Sequence, residues 1–285
     1  MFKWFMRVSV VVLCIASAWV NMPVVKVASG DVGTRNCRYV ALGDSICRGY
    51  GLDDSSKQCY ASLINQWLSQ RYDYVFHDNL GEDGLESREL LSYLTDPSRK
   101  EYNKYTKTLK DADLVTVSIG SNDLMHLLNI SGNIDEMISD NKEKFVRACR
   151  AFGETFPKII RAIKKVAPDA VIVVGNVYNP CHGLESFQEV YQVADHYICE
   201  LNQGYENVPD VLVADVFSAF QGSHEKLVNM AIRKDAIDPH PNARGHEIIA
   251  EKMLEKIQEE KLEKNKRVIF DLTELAFVHR CMEKD

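Results

Sequence analysis

The chain of 285 residues has no C-x-x-C pair, no H-E-x-x-H pair and no G-x-S-x-G turn. The first two absences remove the usual zinc spacings, so no metal is expected, and the third removes the nucleophile elbow of the α/β-hydrolase fold. Proline and glycine are scarce, at 8 and 15 residues, and no Pro/Gly/Ser-rich stretch divides the chain. Collagen-like, low-complexity and disordered states are thereby excluded, and one folded body is expected, with 46% hydrophobic residues to fill its core. Positive charge is short as well. Lys3, Arg7 and Lys26 precede every acidic residue, which leaves 31 basic against 41 acidic residues from Asp31 onward. A body of that sign with no basic patch repels phosphate backbones, so no nucleic-acid partner is expected.

At the N-terminus, Lys3 and Arg7 precede an apolar run from Val8 to Val20, and small residues follow at Ala16 and Ala18 and again at Val27-Ala28-Ser29. That is the layout of a secretory signal cut after Ala18 or Ser29. Left uncut, Val8 to Val25 approaches the roughly 18 to 20 residues that span a bilayer. Either way the body is expected to be secreted or anchored on the outer face of the cytoplasmic membrane. Residues 1–29 are therefore read as signal peptide or N-terminal membrane anchor, 30–263 as the folded domain, and 264–285 as a C-terminal extension packed on it. With Cys14 in the leader, seven cysteines remain, and in an oxidising compartment Cys47–Cys59 and Cys181–Cys199 are the local disulfide candidates.

Short β-branched runs alternate with longer segments of helical period, the pattern of a doubly wound parallel sheet. Strands are expected at Tyr39–Leu42, Tyr74–His77, Leu114–Ile119, Ala170–Val174 and Val211–Val213, the central ones buried on both faces. Helices are expected at Tyr60–Gln70, Ser87–Leu94, Lys142–Val166, Leu184–Asn202 and Ala243–Leu262. In such a sheet, chemistry is carried by the loops that leave the carboxyl ends of the strands.

Four of those loops are unusual. Gly43-Asp44-Ser45 puts a hydroxyl in a tight turn beyond the first strand. Gly84, in the loop after the second, offers a backbone N–H with no side chain in front of it, although a loop glycine also serves a positive φ. Gly120-Ser121-Asn122-Asp123 follows the third strand, where the Asn122 amide is a neutral donor of the kind an oxyanion needs, and where capping of a helix by Asn122 or Asp123 is equally natural. Finally, Pro241 keeps His240 on extended backbone, with Asp238 two residues earlier able to accept from its Nδ1–H. Each block alone reads as a turn; the four in order do not.

Together these blocks, spanning about Arg38 to Leu254, resemble the SGNH hydrolases, also called the GDSL-type esterases and lipases. Val177-Tyr178-Asn179-Pro180 is similar to a bacterial lysophospholipase-like branch. The resemblance implies a flavodoxin-like three-layer α/β/α sandwich with a five-stranded parallel sheet and no cofactor. It implies hydrolysis through an acyl-enzyme on Ser45, with His240 as general base, Asp238 or Asp235 as orienting acid, and Ser45, Gly84 and Asn122 as oxyanion donors. The expected partner is a small-molecule, lipid or glycan ester, a short-chain ester or lysophospholipid first. An O-acetyl esterase or acyltransferase on polysaccharides and a non-catalytic binding protein are the alternatives. The crevice walls are expected from Cys47–Lys57, His126–Asp135 and Tyr178–Phe187. Leu124, Met125, Leu127 and Leu128 could contact an acyl chain, but at helical spacing they are expected in the core.

Overall fold

A computed structural model describes residues 35–127, 134–182, 188–229, 232–233 and 236–260. Its centre is a sheet of five parallel strands: β1 (Asn36–Gly43), β2 (Tyr74–Gly81), β3 (Leu114–Ser118), β4 (Val171–Gly175) and β5 (Leu212–Ala214), in the order β2-β1-β3-β4-β5. The expected fold class, a five-stranded parallel α/β sandwich, is the one observed. All five residues of β3 are buried, as a central strand covered on both faces must be. Alternate residues then serve opposite layers. Val40, Leu42, Val115, Val117, Ile172 and Val174 face one core. Tyr39, Ala41, Leu114 and Val173 face the other.

The first core is closed by α4 (Ser87–Thr95), α5 (Tyr102–Leu109), α7 (Ile134–Val166) and α8 (Gln188–Asn202), which contribute Leu90, Leu109, Phe152, Phe156 and Leu201. The second is closed by α3 (Tyr60–Ser69), α9 (Val216–Gln221) and a helix over 243–260, through Ile64, Leu68, Phe220, Met253 and Ile257. Each fully buried side chain of this size contributes about 1.5–3 kcal/mol, so the two apolar layers fix the sheet as a rigid frame. Short helices α1 (Ser45–Arg48), α2 (Ser55–Gln58) and α6 (Ser121–Met125) and a ribbon of Ile232–Arg233 with Ala236–Ile237 complete the elements.

β2 runs four residues past its expected end at His77. It is the edge strand, its Asp78 and Asn79 are exposed, and it pairs with β1 as far as Gly43↔Gly81. α5 and α9 were not expected; both are short amphipathic helices that bury only a few residues. The expected leader at 1–29 and extension at 264–285 lie outside the described residues. Among the described residues, no helix is long and apolar enough to cross a membrane.

Candidate active site

Strand order places the site. β1 is flanked by β2 on one side and β3 on the other, so the chain leaves β1 and β3 in opposite directions and a crevice opens between their carboxyl ends. β1 ends at Gly43, whose φ is 142°. A Cβ there would stand 1.9 Å from the Ser118 carbonyl oxygen, so no other residue lets the two strands lie this close. The Asp44 N–H donates to that same carbonyl at 3.0 Å. Asp44 also caps α1, its Oδ1 accepting the Ile46 N–H at 3.0 Å, and Ser45 is the first residue of the helix. From β2, the Asn79 amide donates to the Cys47 carbonyl at 2.7 Å and its oxygen accepts the Gly81 N–H at 2.9 Å. The serine turn is thus held from both sides.

His240 arrives from the other end of the chain on an equally fixed loop. The Asn229 N–H donates to the His240 carbonyl, and the Asn242 N–H to the Leu227 carbonyl, both at 2.9 Å. Asn242 Oδ1 caps the helix over 243–260 by accepting the Gly245 N–H at 3.0 Å. The imidazole Nε2 stands 2.8 Å from Ser45 Oγ, and Nδ1 stands 2.7 Å from Asp238 Oδ1. The same carboxylate oxygen accepts the His240 N–H at 3.1 Å. A hydroxyl, an imidazole and a carboxylate in this order can move a proton off the oxygen while the resulting imidazolium is stabilised. Asp235 lies outside the described residues.

Ser45, Asn122 and His240 line one cavity of about 220 Å3, together with Asp44, Ile46, Ser121, Leu124, Met125, Val177, Tyr178, Pro180, Ile198 and Pro239. Asn122 Nδ2 donates to the Leu85 carbonyl at 3.1 Å, and an amide nitrogen has a second hydrogen to offer. Neither Asn122 nor Asp123 caps its own helix; the cap position is Gly120. Asp123 instead accepts the Ser87 N–H at 3.0 Å and its hydroxyl at 2.5 Å, which ties α6 to the start of α4. Gly84 has a φ of 76° in the turn between those bonds and β2, and it does not line the cavity.

Three expectations need correction. The segment Cys47–Lys57 lends no residue to the lining of this cavity, Cys47 being buried, and meets the site instead through Tyr50, whose ring lies against the His240 imidazole with centroids 4.5 Å apart. Leu124 and Met125 face the cavity, Leu124 while also packed in the core, and Leu127 packs against the core; Leu128 lies outside the described residues. Neither disulfide forms: Cys47, Cys59, Cys181 and Cys199 all remain thiols. The Cys59 thiol points at the Cys47 carbonyl, 3.1 Å away, and the Cys47 thiol at Asn79 Oδ1, 3.4 Å away. Cys181 is buried while Cys199 is exposed, and closeness in sequence does not orient two thiols toward each other. Burial pushes the Cys59 and Cys181 thiols up to about 11, so both stay protonated at neutral pH.

Sequence reasoning missed the state of Asp44. Its side chain is 1% exposed, and burial pushes its pKa up to about 7 against several hydrogen bonds that lower it. Among the described residues, no group of three or more His, Cys, Asp and Glu side chains is placed to hold a metal ion.

The GDSL-like lipase/acylhydrolase family model matches residues 41–248, most of the folded body. The chain belongs to that family. It is a carboxylic ester hydrolase on the SGNH fold. An uncharacterised protein of Bacillus subtilis (strain 168), YpmR, is 28% identical over 229 residues, covering 79% of this chain and 82% of that one. Among solved structures, a phospholipase A1 from Streptomyces albidoflavus NA297 superposes with a TM-score of 0.59 at 18% identity, over 79% of this chain and all of its own. The lipase Lip_vut3 from a goat rumen metagenome superposes with a TM-score of 0.57 at 23% identity, over 77% of this chain and 97% of that one. At these identities the likeness to solved structures is one of fold.

Proposed function

We propose that this esterase is exported and hydrolyses carboxylic esters through a covalent acyl-enzyme on Ser45. The observation that carries the reading is the pair of contacts on one imidazole, 2.8 Å to Ser45 Oγ and 2.7 Å to Asp238. His240 takes the hydroxyl proton as Ser45 attacks the ester carbonyl, then gives it to the departing alcohol. Asp238 fixes the tautomer and steadies the imidazolium. The Ser45 backbone N–H and the second Asn122 amide hydrogen, both at the cavity, receive the oxyanion, and Gly84, which does not line it, is left out of that role. Water, deprotonated by the same imidazole, then releases the acid.

The acyl group of a short-chain ester or lysophospholipid occupies the cavity, whose apolar walls are Leu124, Met125, Val177, Pro180 and Ile198. The Lys3 and Arg7 charges, the apolar run and the small residues that follow it support export. The test is labelling by a fluorophosphonate together with p-nitrophenyl acetate turnover. Ser45→Ala loses both, whereas Asp238→Ala keeps measurable turnover. A Ser45→Ala protein labelled as fully as the wild type sinks the proposal.

A further inference from the structure

The loop after β4 is unusually well fastened for a segment without secondary structure. Asn202, near the end of α8, grips the Val177 peptide at both ends: its Oδ1 accepts the Val177 N–H and its Nδ2 donates to the Val177 carbonyl, each at 2.9 Å. Asn179, 1% exposed, donates to the Tyr191 carbonyl of α8 at 3.1 Å and accepts the Cys181 N–H at 3.0 Å. Tyr178 sits between these two anchors. Its ring is 6% exposed and stacks on Phe220 of α9, centroids 4.3 Å apart. Its hydroxyl donates to the Pro239 carbonyl at 2.7 Å. That carbonyl belongs to the peptide bond leading into His240.

The rest of the histidine loop is tied from the other side, by the segment around residues 226–229. On the Tyr178 side, the described link between this loop and the sheet frame is the single tyrosine hydroxyl. A peptide carbonyl held at one end, a carboxylate holding Nδ1 at the other and the Tyr50 ring against the imidazole, centroids 4.5 Å apart, together define where Nε2 points. We infer that Tyr178 is a positioning residue for His240, transmitting the rigidity of the β4–α8 loop to the imidazole through the Pro239 carbonyl. The inference rests on the reading of Ser45 and His240 given above. The phenol is well suited to this work, since burial raises its pKa far above the usual value and it remains a donor across the working range.

Tyr178→Phe deletes the hydroxyl and keeps the stack on Phe220. Misalignment of a general base by a fraction of an ångström costs one to two orders of magnitude in rate, so kcat is expected to fall about ten-fold, with KM for p-nitrophenyl acetate within about two-fold. Rates are expressed per serine titrated by fluorophosphonate. A merely structural tyrosine lowers the titratable fraction and leaves kcat per titrated site unchanged, and that result overturns the inference. A rise in KM that matches the fall in kcat/KM overturns it too. Asn202→Ala loosens the same post one residue further back and is expected to lower kcat per site in the same direction by a smaller factor; it decides the matter should Tyr178→Phe yield no titratable enzyme. Failure of the underlying mechanism is distinguishable, because it appears as persistent labelling in Ser45→Ala whatever the tyrosine variant does.

Discussion

Asp44 is a carboxylate placed where a carboxylate is costly. It is 1% exposed, its Oδ1 serves the Ile46 N–H at 3.0 Å and the Ser118 hydroxyl at 3.3 Å, and its Oδ2 has no hydrogen-bond partner among the described residues. Burial therefore outweighs the hydrogen bonds, and the group titrates near 7 where an unfolded aspartate titrates near 3.8. A raised folded pKa means that the folded state binds the proton more tightly than the unfolded one. The associated stability is fully present below about pH 4 and is lost as pH rises through about 7. A displacement of about three pH units corresponds to about 4 kcal/mol, with full loss reached near pH 9.

Asp44→Asn removes the titration while its Oδ1 keeps the cap on α1. Chemical unfolding of both proteins at pH 4.5 and pH 9 isolates this group, since every other titration cancels in the difference. The expected result is a gain for Asp44→Asn of about 1 kcal/mol at pH 4.5 that grows to about 3–5 kcal/mol at pH 9. A difference of the same size at both pH values refutes the argument, for it would show that the carboxylate is ionised throughout or that the substitution acts through packing.

Other outcomes follow from the same geometry. Gly43→Ala is expected to destabilise by more than about 3 kcal/mol in urea unfolding, because its Cβ meets the Ser118 carbonyl at 1.9 Å in a backbone conformation that L residues avoid. Asn122→Ala is expected to lower kcat for p-nitrophenyl acetate by about 10²–10³ with little change in KM, the cost of losing one oxyanion donor; an unchanged kcat removes Asn122 from that role. His246 is fully buried, its Nδ1 accepts the Tyr60 N–H at 3.3 Å, and burial pulls its pKa down to about 3. A depressed histidine contributes stability above about pH 6.5 that is lost as pH falls toward 3, so His246→Leu should flatten the acid limb of the stability curve between pH 6 and 4. A limb of unchanged slope would assign acid unfolding to other groups.

What could be read from the chain and what could not divide along a physical line. β3 and β4 announce themselves because burial on both faces demands a continuous apolar run, whereas the second half of β2 hides behind Asp78 and Asn79, which an edge strand tolerates. Ser45 and Asn122 are legible for a related reason. The chemistry lies at strand ends that the hydrophobic pattern locates, and the side chains themselves carry the signal. Tyr178 is different. The chain displays it within Val177-Tyr178-Asn179-Pro180, yet its partner is a backbone carbonyl 61 residues away, and a carbonyl has no letter in the sequence. The pKa of Asp44 is equally hidden, being made by the absence of water rather than by any neighbour in the chain.

That division explains why four weak blocks locate the site when none does alone. A turn containing Gly-Asp-Ser is common, but a doubly wound sheet has few strand ends, and only the two that flank the point of reversal open a crevice. Ser45 leaves β1 and Asn122 follows β3, the two strands at that point, and both line the same cavity as His240. Once the order β2-β1-β3-β4-β5 is fixed by burial, the serine and the asparagine have nowhere else to go. The imidazole alone has no such guarantee, since its loop follows no strand of the main sheet and must be strapped into place at Leu227, Asn229 and Tyr178. The histidine loop is therefore where substitutions remote from the crevice should weaken turnover without unfolding the sheet. Asn242→Ala, which removes both the cap on Gly245 and the bond to the Lys226 carbonyl, is expected to lower kcat per titrated serine while lowering stability in urea unfolding by no more than the roughly 1 kcal/mol typical of a lost cap. A variant with wild-type kcat would show that the loop is held well enough without it.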